Sequence, residues 1–445
     1  MRKRKPLPTD LITATIEGLT HDGRGITRLD GKTIFIRGAL PEEKIAFQYT
    51  ALHGSYDEGV AVEIYQPNPV RAIPLCPYVN TCGGCSLQHM NADEQLRLKQ
   101  NVLIEQLRHF GGELSPQTWL APMKSDAWGY RRKARFSVRY VAKKESVLVG
   151  FREKNGRYVA DINDCVVLDP SLAKLIPLLR ELIAKLDCKE HIPQVEVALG
   201  DDVQIAMVIR HLTPLTDNDK ALFEQFAKAH SIDCYLQPQG ISSIVKFYPA
   251  DKDERLHYTL SDFNVTLRFH PIDFVQVNAG VNRQLVTKVI ELLDLTPQCE
   301  VLDLFCGLGN FTIPMATRCA NVVGVEGDAG MVDRGYENAA FNNINNVSFY
   351  ACDLTTEITG QPWATKAYNK VLIDPPRSGA AALMPWLVKL KPQRIVYVSC
   401  NPATLARDAG LLMASGVYRF AAAGVLDMFT HTSHVESIAV FDRVK

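Results

Sequence analysis

The sequence contains no run of about 18 apolar residues, the length that a membrane-crossing helix needs. Its opening stretch, MRKRKPLPTD, carries charge with no apolar run behind it. Neither a signal peptide nor a membrane span is expected, and a cytoplasmic location follows. Net charge of one sign is also lacking: 49 Lys and Arg balance 49 Asp and Glu, so the overall balance singles out no acidic partner. A disulfide framework is missing as well, because the 11 cysteines are odd in number and scattered over 445 residues. A reducing compartment suits them better, and some become candidate ligands or catalysts. At this length one ordinary core does not suffice, which predicts about two to four domains. The 47% hydrophobic and 22% charged content is that of a globular chain.

Short β-type runs alternate with turn signals from residue 10 to 65, as in ITRLDGKTIFIRGAL and KIAFQYTALHG. Such spacing predicts a small barrel. Pro67, Pro69 and Pro74 then interrupt the pattern. Beyond a cysteine cluster that starts at Cys76, ADEQLRLKQNVLIEQLRHFGG reads as a helix closed by Gly111 and Gly112. Between Lys124 and Arg157 stand 11 Lys and Arg against 3 Asp and Glu. Within RRKARFSVRY the alternation places Arg131, Lys133, Arg135 and Arg139 on one face of a strand, and Ala134, Phe136, Val138 and Tyr140 on the other. A solvated strand face is the plain reading. A phosphate-binding face is favoured, since a row of like charges repels itself unless an anion meets it.

From about Phe269 five apolar strands, each ending in a polar or glycine-rich corner, alternate with helical segments: CEVLDLFCGLGNF, ANVVGVEGD, NVSFYACDL, NKVLIDPPR and QRIVYVSCN. This is the pattern of a doubly wound α/β sheet, which binds ligands beyond the carboxyl ends of its strands. Gly307 and Gly309 follow the first strand where backbone must approach a ligand, and Glu326 ends the next strand, positioned to accept hydrogen bonds from ribose hydroxyls. With Asp353 and Asp374 ending the third and fourth strands, they outline a pocket for an adenosine-type cofactor. Phe311 and Thr312 stand where a dinucleotide fold would place its third glycine. S-adenosylmethionine has no pyrophosphate and suits the shorter motif better.

Cys400 in RIVYVSCNPATLARD ends the fifth strand and is either a small buried filler or a nucleophile. Cys306, inside the glycine corner, is assigned to packing. Cys188, Cys234, Cys299, Cys319 and Cys352 show no ligand spacing and default to structure. Cys76, Cys82 and Cys85 form a C-x5-C-x2-C set in which Gly83 and Gly84 let the backbone fold around an inorganic centre. Spacing alone leaves zinc and an iron–sulfur cluster both open.

In this order, FVQVN (274–278), VLDLFCGLGNF, VLIDPPRSG, VSCNPATLARD and HVESIAVF (434–441) resemble the RNA uracil-C5 methyltransferases that use S-adenosylmethionine. The resemblance covers nearly the whole chain and is closest to the 23S rRNA members that carry both a TRAM domain and an iron–sulfur cluster. It implies a TRAM RNA-binding barrel over 1–67, a central α+β iron–sulfur and RNA-binding domain over 68–268, and a Rossmann-like methyltransferase domain over 269–445. The helix over 91–112 is a candidate to pack on the last of these. It implies a [4Fe–4S] cluster on Cys76, Cys82, Cys85 and Cys165, and cofactor contacts at Gln276, Phe305, Asn310, Glu326, Asp353 and Asp374. It further implies Cys400 as nucleophile, Glu436 as base, 23S rRNA as partner, and a monomer without an obligatory protein partner.

The chemistry accounts for this pair. Carbon 5 of uracil is too weak a nucleophile to take a methyl group unaided, but a thiolate added at carbon 6 makes the ring an enolate. A base must then remove the proton from carbon 5 so that the thiolate leaves. Retention of Cys400 and Glu436 speaks against a non-catalytic assembly factor. A radical methylthiotransferase would space its cluster cysteines C-x3-C-x2-C and leave one iron open. An RNA cytosine-C5 methyltransferase would carry a cysteine just after the proline of the fourth-strand motif, where this chain has Arg377 and Ser378 after Pro376. Uracil is therefore the favoured base.

Overall fold

The computed structural model describes residues 6–154, 156–356 and 358–444. Of the charged opening stretch, residues 1–5 lie outside them.

The first unit is a six-stranded sheet in the order Ile12–Thr15, Lys44–Leu52, Tyr56–Gln66, Lys32–Arg37, Gly25–Leu29, Gly18–Leu19. Asp30 and Gly31 join two of these strands with φ of 51° and 78°, the left-handed pair that a tight hairpin turn requires. Both ends of the sheet order belong to one continuous stretch of chain. At its bend the Ile16 N–H donates to the Glu43 carbonyl (3.0 Å) and the Glu17 N–H to the Ile26 carbonyl (2.7 Å). Ala14, Ile16, Ile34, Ile36, Ile45 and Phe47 fill the interior. The proline-broken segment is tied back by Arg71, whose guanidinium meets the fully buried Glu43 carboxylate.

A second six-stranded sheet runs in the order Val245–Tyr248, Ile232–Gln237, Ile205–Arg210, Gln194–Leu199, Lys133–Val141, Ser146–Gly150. The alternation read in RRKARFSVRY holds: Ala134, Phe136 and Val138 are buried, and Arg135 and Arg139 are exposed. Helices Leu175–Ala184 and Asp217–His230 share this unit's core through Leu179, Ile183, Phe223 and Ala227.

The third sheet has eight strands, in the order Val347–Ala351, Asn321–Glu326, Glu300–Leu304, Lys370–Ile373, Arg394–Ser399, Glu436–Arg443, Tyr418–Leu426, Thr118–Trp119. The first five run parallel, and Glu436–Arg443 is antiparallel to both of its neighbours. The sequence reading assigns no strand to YRFAAAGVL, because alanine and glycine are poor strand formers in isolation. Here their small size is what the sheet uses: a Cβ on Gly424 would lie 2.8 Å from that of Leu120.

Helix Ala92–Gly111 precedes the second sheet in sequence but belongs to the third in space. Asn91 caps it by accepting from the Glu94 N–H, acidic Asp93 and Glu94 occupy its first turn, and Gly112 ends it at φ 77°. Its buried residues Leu96, Val102, Leu103 and Leu107 join the core of the eight-stranded sheet, and it packs along helix Pro402–Ala414. The contact is close: a Cβ on Gly410 would lie 3.3 Å from the Gly111 carbonyl oxygen. Among the described residues no helix is long and apolar enough to cross a membrane.

Leu103, which is fully buried, tests this placement. Leu103→Ala is expected to cost about 2–5 kcal/mol in denaturant unfolding, as a large-to-small core change does. The loss should appear in the transition of the eight-stranded unit, followed by local hydrogen exchange.

Candidate active site

At the glycine corner, strand Glu300–Leu304 ends against Phe305, a non-glycine residue at φ 65°. This left-handed backbone is held because the N–H groups of Phe305 and Cys306 both donate to the Val325 carbonyl, at 2.8 and 3.1 Å. Gly307 and Gly309 follow at φ 54° and 95°. A Cβ on Gly309 would stand 2.9 Å from Ile313 Cγ1, so the corner is open only with glycine there. The Glu326 carboxylate turns into the corner: Oε2 accepts from the Gly307 N–H (3.0 Å), and Oε1 from the N–H groups of Gly327 (2.7 Å) and Asp328 (3.2 Å). Cys306 is packed in the core.

Asn310 forms a reciprocal amide pair with Asn282 at 3.0 and 3.1 Å, and its Oδ1 also accepts from the Tyr258 hydroxyl at 2.8 Å. Gln276 lines a small cavity beside Tyr258 and Asn282. Asp353 is exposed, and its Oδ1 accepts from the N–H (2.9 Å) and hydroxyl (2.6 Å) of Thr355. Asp303 is fully buried; its Oδ2 accepts from the Thr312 hydroxyl, and its Oδ1 has no hydrogen-bond partner among the described residues.

Beside them lies the second half of the site. Ser399 pairs with Ser437 across the antiparallel strands. Cys400, half-buried, and Glu436, buried, therefore stand opposite one another where the two strands leave the sheet. Burial pushes the Glu436 carboxyl up to about 8, reinforced by Asp374 and opposed by Lys99 and Arg377. Burial likewise pushes the Cys400 thiol up to about 11, with Glu436 and Asp374 adding to the rise and Arg377 opposing it. Burial and Glu326 raise Asp374 to about 7, whereas burial, with Asp374 and Glu326, raises Asp303 to about 8. The strand ends thus gather more acids than Arg377 and Lys99 balance. That arrangement suits a cationic ligand, and the unpartnered Asp303 oxygen and the glycine corner fit a cofactor with one.

Cys76, Cys82, Cys85 and Cys165 line one cavity of about 220 Å³ with Tyr130 and Thr432. Burial raises all four thiols, Cys85 to about 12. Among the described residues no group of three or more His, Cys, Asp or Glu is arranged to hold a metal ion. On the basic strand, Arg135 faces Glu196 of the neighbouring strand at 3.0 Å, and the Lys133 ammonium donates to the Asp273 carbonyl at 2.6 Å. Arg131 Nε donates to the Lys133 carbonyl at 3.0 Å, and Arg139 is exposed. One anion that the row calls for is therefore supplied from inside the sheet.

Sequence reasoning passes over Asp303, Tyr258, Asn282 and Lys99. For Lys99 a signal exists: it occupies the apolar stripe of its helix between Leu96 and Leu103 and is 1% exposed. Tyr258 and Asn282 carry no local signal.

A family model described as tRNA (uracil-5-)-methyltransferase matches residues 91–444, and a TRAM domain model matches residues 10–48. The 23S rRNA (uracil(1939)-C(5))-methyltransferase RlmD of Alcanivorax borkumensis is 51% identical over 444 residues, 100% of this chain and 99% of that protein. The protein of the same name from Legionella pneumophila strain Lens is 48% identical over 445 residues, the full length of both. Among solved structures, the tRNA (uracil-54, C5)-methyltransferase of Pyrococcus abyssi in complex with S-adenosyl-L-homocysteine superposes with a TM-score of 0.73 at 25% identity, covering 97% of this chain and 100% of that one.

The raised carboxyls make binding pH-dependent. A cationic sulfonium favours their ionised forms, so S-adenosylmethionine is expected to release protons on binding and to bind more tightly as pH rises from about 6 to 8. S-adenosylhomocysteine, which lacks the sulfonium charge, should release fewer. Calorimetry in buffers of different ionisation enthalpy reads both, and equal proton release would contradict the assignment.

Proposed function

We propose, from the premise that this chain belongs to the tRNA (uracil-5-)-methyltransferase family, that it transfers a methyl group from S-adenosylmethionine to carbon 5 of one uridine of 23S rRNA, position 1939 in its relatives' naming. The observation that carries the chemistry is the placement of Cys400 opposite Glu436 at the end of the sheet.

When bound, the cofactor supplies an electrophilic methyl group on a sulfonium. The residues that would hold it are Glu326 at the ribose hydroxyls, with Gln276, Phe305, Asn310, Asp353 and Asp374 around it. Cys400 adds as thiolate to carbon 6 of the uracil, and Arg377 is the cation that favours its ionised form. Once carbon 5 carries the methyl group, Glu436 takes the proton from that carbon and the thiolate departs, restoring the double bond. Glu436 must be ionised for this step. With its carboxyl near 8, turnover rises with pH through that region.

The first 67 residues act as a TRAM barrel, the segment 68–268 as a central RNA-binding and cluster domain, and 269–445 as the methyltransferase. A groove of about 1100 Å³ between the first two units, lined by Phe35, Arg37, Arg152 and Lys154 and by Arg24 in its ion pairs with Asp22 and Glu58, offers cations and an aromatic face to RNA. Arg131 and Arg139 are the further cations assigned to RNA on the basic strand, with Lys133 and Arg135 already engaged within the protein. Cys76, Cys82, Cys85 and Cys165 hold a [4Fe–4S] cluster. The support is their shared cavity, which has room for several heavy atoms, since one water takes about 30 Å³, and a four-thiol donor set. We assign the protein to the cytoplasm as a monomer.

Two variants separate the catalytic roles. Cys400→Ala is expected to bind RNA and cofactor and form no covalent complex. Glu436→Gln should retain methyl transfer but stall elimination, cutting turnover about 10²–10⁴-fold. A methylated protein–RNA complex should then survive denaturing electrophoresis. Methylation by Cys400→Ala, or no complex at Cys400, would overturn the mechanism.

Metal analysis of anaerobically purified protein is expected to give about four irons and four inorganic sulfides per chain. Stoichiometric zinc without iron would remove the cluster assignment.

A further inference from the structure

The loop from Asp427 to His434 leaves strand Tyr418–Leu426 and delivers the chain to Glu436. Its backbone is gripped from the helix that precedes the second sheet. Lys99 Nζ donates to Asp427 Oδ1 (2.6 Å) and to the Phe429 carbonyl (3.0 Å), while Asp427 Oδ2 accepts from the Thr430 hydroxyl (2.9 Å). One turn earlier, the Gln95 side-chain oxygen accepts from the His431 N–H (2.8 Å). His431 is held at φ 67°, its ring stacked on Trp128 at 3.7 Å. Both members of the ion pair are buried, Lys99 at 1% and Asp427 at 3% exposure.

A buried pair of this kind is a poor way to gain stability. Desolvating both charges offsets most of their attraction, and apolar residues of similar volume hold such an interface as well or better. Lys99 and Gln95 are the two polar residues on a buried helix face otherwise filled by leucine and valine, and both hold the Asp427–His431 stretch. We propose that Lys99, through Asp427, is a positioning residue for Glu436: it ties the loop that aims the carboxylate at Cys400 and sets a fixed positive charge behind it. This rests on the reading of Glu436 as the base. The charged and titratable groups facing Glu436 are Asp374, Arg377 and Cys400 on neighbouring strand ends and Lys99 on the helix; His434, exposed in the same loop, faces Lys99 and Arg377. Among these, Lys99 is the cation held inside the protein and away from the RNA-facing surface, so its charge is present before substrate arrives.

The full-length protein with Lys99→Met and Asp427→Leu together removes the pair without leaving a lone buried charge. A second variant, Lys99→Gln with Asp427→Asn, keeps a hydrogen bond and removes only the charge. In both, the acid limb of the single-turnover elimination rate is expected to move up by about one pH unit, because the carboxylate loses a favourable charge. Turnover at pH 7 should fall about tenfold with KM for RNA changed less than about threefold, and the methylated covalent complex should accumulate. Unfolding by denaturant should show the apolar variant at least as stable as the natural protein, so that its fall in turnover does not come from lost folding stability. An unmoved acid limb and no accumulated complex in whichever variant folds would overturn the proposal. If Glu436→Gln itself accumulates no complex, the base reading fails and this inference with it; if Glu436→Gln does and these variants do not, only this inference fails.

Discussion

The constraint on which the site depends is the antiparallel pairing of Arg394–Ser399 with Glu436–Arg443. A parallel strand would have brought the start of that segment to the opposite end of the sheet, away from Cys400. Reversal places Glu436, the first residue of its strand, level with Cys400, the residue just past the end of its own. Two side chains that act on one substrate need this kind of proximity, and a rigid sheet supplies it at no ordering cost.

The second feature is electrostatic. Asp303, Glu326, Asp374 and Glu436 converge at the strand ends, and those whose carboxyls are raised owe it first to burial and then to their neighbours. Acids this close cannot all ionise without a cation. Arg377 and Lys99 meet part of that demand from outside and inside the sheet, and a sulfonium would meet the remainder. The same burial works against Cys400, whose thiol is raised by it and then by Glu436 and Asp374, with Arg377 opposing. Asp374, Glu436 and Cys400 are therefore coupled through one local field.

Chain path ties the units together. Helix Ala92–Gly111 and strand Thr118–Trp119 join the eight-stranded sheet before the chain leaves to build the middle unit. The cysteine loop is held at the same place: the N–H groups of Ser86 and Leu87 both donate to the His431 carbonyl, at 2.9 and 3.0 Å. The loop that feeds Glu436 is thus bounded by the cysteine site on one side and by the Lys99 helix on the other.

Local pattern alone carried the alternation in RRKARFSVRY, the five strands ending in polar corners, the glycine corner, and the helix closed by Gly111 and Gly112. Each of these is a short-range property, in which neighbouring residues decide backbone conformation and facing. The alanine-rich strand Tyr418–Leu426 escaped that logic because its pairing rests on close packing against Leu120. The engagement of Lys133 with the Asp273 carbonyl, the amide pair of Asn282 with Asn310, and the grip of Lys99 on Asp427 join residues far apart in sequence. Sheet order and helix packing select such partners through buried area and hydrogen bonds satisfied at a distance. Cys400 and Glu436 show the division: the residue types and their strand ends were legible in the chain, whereas their standing face to face was decided by the order in which the strands assemble.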